Sequence, residues 1–66
     1  MSVSLAERML VKFHRRAADA RAAGRTAYAK EQLLLAALVC EQLPVSVRSF
    51  ELAHVESKLS ALTEAA

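Results

Sequence analysis

Leu33-Leu34-Leu35-Ala36-Ala37-Leu38-Val39-Cys40 is eight apolar residues without a break, and how that run is covered decides the fold. At 3.6 residues per turn, eight consecutive side chains point all the way round a helix, so a helix built on them needs cover on more than one side. Eight residues are far short of the roughly 20 that span a bilayer. The cover is expected to be protein, and no membrane span is expected.

The rest of the chain is read for what could provide that cover. Hydrophobic residues are 55% of the sequence and aromatics 5%, with one Gly and one Pro. This is too apolar for a disordered chain and too poor in turn residues for a fold built on many turns. Ala and Leu, both strong helix formers, dominate. The expected fold class is all-α, a single helical domain over residues 1–66.

Size sets the next expectation. A chain below about 70–80 residues rarely gains more than about 3–5 kcal/mol from its own core, and much of the apolar content here is Ala, which buries little area. Cys40 is the only cysteine, so no disulfide can form within the chain, and no set of metal ligands is suggested by spacing. Self-association or a partner chain remains as reinforcement. The core is therefore expected to be completed by another polypeptide.

Working back from the central run, Ser4-Leu5-Ala6-Glu7 reads as a capping box, in which the Ser4 hydroxyl and Glu7 carboxylate satisfy each other's backbone N–H. The first helix then runs over about residues 4–23. Val3, Ala6, Leu10, Phe13, Ala17 and Ala20 recur at alternating steps of three and four, the seam of a helix packed on a neighbour. Gly24 is placed to end this helix in the left-handed region, with Thr26 as the cap of a second helix over about 27–42. The rival is one helix running through Gly24, at a cost of about 1 kcal/mol relative to Ala. The seam favours the hairpin, because the same register continued onward puts Glu31 at an apolar position.

On the second helix Tyr28, Leu35, Ala36, Val39, Cys40 and Leu43 form one broad side expected to face the other helices. Leu34 and Leu38 point the other way, among Lys30, Glu31, Glu41 and Gln42. They read either as a contact surface for another chain or as the face that a third helix covers. Pro44 ends the second helix, since the residue before proline is pushed out of the α region. A third helix is expected over about 47–63, with Leu52, Val55, Leu59 and Leu62 as its main stripe. Val47, Phe50, His54 and Ala61 form a weaker ridge opposite, and the Ala-rich tail around Glu64 is expected to fray.

Charge is uneven. Residues 1–30 carry Arg8, Lys12, Arg15, Arg16, Arg21, Arg25 and Lys30 against Glu7 and Asp19, whereas residues 31–66 are net acidic. Opposite halves favour antiparallel pairing of helices. The sharper reading is a nucleic-acid face on Arg8, Lys12, Arg15 and Arg16. Against it, no helix reads as a groove-recognition helix, Asn is absent, and aromatics for base stacking are scarce. A basic first helix lying on an anionic membrane surface is a further, lesser option.

Catalytic signatures are missing. His14 and His54 sit on separate helices with no His or Cys one turn away, and Cys40 lies mid-helix among Leu and Val, where it serves as a small hydrophobe. The carboxylates do not pair at one-turn spacings. There is no phosphate loop, nucleophile elbow or calcium loop. No enzyme activity and no cofactor is therefore expected.

Met1-Ser2-Val3-Ser4 has no basic leader character, and Glu7 and Arg8 interrupt any apolar run. A lone cysteine on an apolar helix fits a reducing compartment, so a cytoplasmic protein is expected. The function expected is protein binding by a helical module (adaptor, co-chaperone or inhibitor in kind), either as a homo-oligomer or with another polypeptide. Its contact residues would be Leu34, Leu38, Glu31, Glu41, Phe50 and Val47. Nucleic-acid binding through the first helix is the alternative.

Overall fold

The computed structural model describes residues 4–65 and contains three helices, α1 (Leu5–Ala22), α2 (Thr26–Cys40) and α3 (Val45–Ala65), with no strand among the described residues. The protein is all-α. Val3, which the sequence puts in the first seam, lies outside the described residues, as do Met1, Ser2 and Ala66. The third helix continues two residues beyond the expected end at Thr63.

The start of α1 follows half of the expected capping box. Ser4 is extended, and its Oγ accepts the Glu7 N–H at 3.2 Å. The Glu7 carboxylate accepts a hydrogen bond from the Ser4 hydroxyl at 3.2 Å instead of reaching the Ser4 N–H. At the other end, Gly24 adopts φ 76°, the Arg25 N–H reaches back to Ala20 O (2.8 Å) and the Gly24 N–H to Arg21 O (3.1 Å). That pair of bonds is the Schellman closure. The chain reverses there, and α1 and α2 form a hairpin.

Thr26 does not cap α2. It is the helix's first residue, and Arg25 precedes it at the cap position with no side-chain hydrogen bond. The Arg25 C=O, already taken up by the Ala29 N–H at 3.0 Å, starts the helix directly from the Schellman turn. At its far end α2 stops at Cys40, two residues before the expected Gln42, and unwinds through three successive tight turns. Pro44 then opens α3. Its C=O accepts the Arg48 N–H (3.0 Å), and the Arg48 guanidinium donates back to Leu43 O at 3.0 Å. Proline is tolerated there because its missing N–H has no helical partner to lose. The same geometry starts α3 two residues earlier than the sequence suggested.

Both outer helices rest on α2, while no Cα of α1 comes within 8 Å of one in α3. The core is Leu10, Ala17 and Ala20 from α1, Ala29, Leu33, Ala36, Val39 and Cys40 from α2, Leu43 from the connection, and Val55 and Leu62 from α3. Ala6 and Phe13 pack on its edge, as do Leu52 and Leu59. The seam of α1 and the stripe of α3 are thus where the spacing placed them. On α2 the reading needs correction: Tyr28 and Leu35 are 36% and 38% exposed rather than core. The buried face instead follows Ala29, Leu33, Ala36, Cys40 and Leu43, at steps of four and three, with Gln32 beside it. The reason is size. Ala17 and Ala20 of α1 and Ala29 and Ala36 of α2 are all buried in the core, and small residues at a helix contact allow a close approach that favours burying them over the bulkier Leu35 and Tyr28.

Two outcomes test this account. Adding a Cβ at Gly24 meets nothing within 4 Å, so Gly24→Ala should cost only the left-handed backbone penalty, about 1–2 kcal/mol, and Gly24→Asn less, in urea titrations. Leu33 is 2% exposed; Leu33→Ala should cost about 2–5 kcal/mol, enough to leave the chain largely unfolded by circular dichroism, whereas Leu33→Met should stay within about 1.5 kcal/mol of the parent.

Candidate functional site

Because α1 and α3 share one side of α2, its opposite side is left bare. There Leu38 is 62% exposed and Leu34 49% exposed. The third helix does not cover them; it packs against the other side of α2 through Val55 and Leu62. Leu38 also forms one wall of an open groove of about 650 Å³ between the first two helices. Leu5, Ala6, Met9 and Phe13 line it from α1, and Leu35, Leu38, Val39 and Gln42 from α2. Glu31 and Glu41 are exposed at the two ends of the leucine run.

The residues expected at a contact surface are only partly brought together. Leu34, Leu38, Glu31 and Glu41 share the outer side of α2 by helical spacing. Val47 instead lines a separate groove between α1 and α3, with Leu10, Val11 and His14. Phe50 is 75% exposed on α3, outside both grooves. Leu5, Met9 and Leu35 are members of the α1–α2 groove that the sequence reading did not assign. Leu5 and Met9 are one turn apart and off the seam of α1, which is the signal that was available.

Arg8, Lys12, Arg15 and Arg16 are all exposed on α1. At steps of four, Arg8, Lys12 and Arg16 run beside Leu5 and Met9 along the α1 wall. Further along, the Arg25 guanidinium stacks on the Tyr28 ring, 4.9 Å from its centroid. Cys40 is fully buried, and burial pushes its thiol pKa up, with the Glu51 carboxylate adding to the rise. A thiol held protonated is a poor nucleophile. Among the described residues no three His, Cys, Asp or Glu side chains are grouped as a metal site, and no helix is long and apolar enough to cross a membrane.

No family model, curated protein or solved structure matches the chain. The class is defined by the fold alone: a small all-α protein of three helices, with one helix in the middle and an apolar groove beside it.

Around His14 the seam between α1 and α3 is polar. His14 and His54, apart in sequence, have ring centroids 5.3 Å apart. The Lys58 ammonium donates to His14 Nδ1 at 3.1 Å, which places the ring proton on Nε2, buried and without a partner. Protonating the ring would displace that bond and set two cations against each other. Burial first, then Lys58 and His54, hold the His14 pKa below its ordinary 6.5, with Glu51 opposing them.

For a base held low in the folded state, the unfolded chain takes up the proton first as pH falls. Stability should be full above 6.5, the ordinary value for His14, and decline modestly below it until the folded ring also protonates. Urea unfolding compared at about pH 8 and about pH 5 should show this loss in the parent and a smaller one in His14→Gln. Equal losses in the two proteins would remove His14 as the cause.

Proposed function

We propose that the protein is a non-catalytic helical binding module that buries the outer face of α2 against another polypeptide chain. One observation carries the reading: Leu34, Leu35 and Leu38, within about one turn of the central helix, are all at least 38% exposed. Single exposed leucines need no explanation, but a contiguous apolar strip along a groove marks a contact surface. The physical benefit is mass action, since a partner that binds the folded form supplies stability a chain of this size lacks. Its role would be that of an adaptor, co-chaperone or inhibitor, acting by covering apolar surface.

A nucleic-acid reading has the exposure of Arg8, Lys12, Arg15 and Arg16 in its favour. It lacks a stacking platform on the basic helix: Phe13 packs on the core, Tyr28 is stacked by Arg25, and the exposed Phe50 belongs to α3. Phosphate contact without base contact gives affinity but little selectivity, so protein binding is preferred.

The test uses Leu34→Lys and Leu38→Lys together. Both side chains point outward, so the double variant should keep its helicity while losing the polypeptides, copies of itself included, that co-purify with the parent under native conditions. A variant that unfolds would show these leucines to be core. One that retains every bound chain, or a parent that carries none, would refute the module.

A further inference from the structure

We infer that the chain filling the α1–α2 groove is a second copy of this protein, docked about a two-fold axis parallel to the helices so that each α1 lies antiparallel on the other copy's α2. The inference rests on the binding-module reading and adds the identity of the partner.

The two walls of the groove match in apolar content, and the exposed charges beside them are mostly opposite in sign. The α1 wall presents Leu5 and Met9, with Glu7 also lining it, and the exposed Arg8, Lys12 and Arg16 run beside it. The α2 wall presents Leu35 and Leu38, with Glu31 one turn before Leu35 and Glu41 three residues after Leu38. A two-fold axis along the helices exchanges the walls. Leu5 and Met9 of one protomer then meet Leu38 of its partner, Arg16 comes to the level of Glu31, and Arg8 to that of Glu41. Every adjacent pair of helices in the resulting four-helix core is antiparallel, the usual arrangement of such bundles.

The alternative two-fold, with its axis across the helices, puts α1 on α1. That arrangement sets Arg8, Lys12 and Arg16 against their own copies, and like charges face to face are unfavourable. An isologous dimer needs a patch complementary to itself, and only the lengthwise axis makes this one so. Size agrees as well. The molecule measures 37 × 19 × 15 Å, so one two-helix face is of the order of the ~800 Å² that each partner contributes to a standard interface.

Charge reversal tests the docking. One variant carries Arg8→Glu and Arg16→Glu, the other Glu31→Lys and Glu41→Lys; all four positions are exposed, so both should fold. By sedimentation of the purified proteins, the parent should be a dimer, each variant alone should dimerise at least tenfold more weakly, and a one-to-one mixture should recover a heterodimer close to parental affinity. Loss without recovery, or no loss, would overturn the arrangement. A parent that stays monomeric in isolation, while its native complexes still depend on Leu34 and Leu38, would overturn the second copy and leave the binding module standing. Loss of both the dimer and those complexes would end both readings. Parental dimers that persist in the α1 variant while nucleic acid is released would assign the basic edge to phosphate instead.

Discussion

The structure depends on a mismatch between one helix and its neighbours. The central helix, α2, is apolar around most of its circumference, yet only two helices pack on it, and both lie toward the same side. Burying a Leu or Val side chain is worth about 1.5–3 kcal/mol, and α2 collects that gain from Leu33 and Val39 while Leu34, Leu35 and Leu38 remain in water. What the fold achieves and what it leaves undone are two faces of the same helix.

The connections explain why the cover is one-sided. The Schellman turn at Gly24 is too short to carry α1 far from α2, and the buried alanines of both helices suit a close approach. The corner at Pro44, held by the Arg48 guanidinium on Leu43 O, sends α3 back along α2 beside the seam. With both turns short, the outer helices must be neighbours of α2. They meet each other through side chains, among them His14, which accepts from the Lys58 ammonium and lies with its ring tilted against that of His54. Around His14 that seam is polar and incompletely satisfied, since His14 Nε2 is buried without a partner, as is Gln32 Oε1 within α2. Buried polar atoms left without partners each cost about 1–3 kcal/mol, which adds to the case for support from outside the protomer.

The groove and the charge layout belong to the same picture. The exposed bases of α1 run beside one wall, which also carries Glu7, and the exposed acids of α2 lie beside the other, with leucine and methionine between them. In the isolated chain these edges lie side by side in water, where screening makes them worth little. Against a complementary surface they would select orientation more than they add affinity.

The sequence by itself determined the helical class, the hairpin at Gly24, the break at Pro44, the seam of α1 and the stripe of α3, because each follows from local rules: helix propensity, left-handed glycine, proline's missing donor and a period of 3.6. It also placed Leu34 and Leu38 on a side of α2 apart from the rest. It could not orient α2 itself, since a helix apolar on every side carries no periodic signal, and so Tyr28 and Leu35 were read as core while Leu33, Ala29 and Gln32 were the residues buried. Nor could it join Leu5 and Met9 to Leu38, or His14 to His54 and Lys58. Those contacts are between helices, and only the packing of the outer helices on α2, around a core of small residues, decided them.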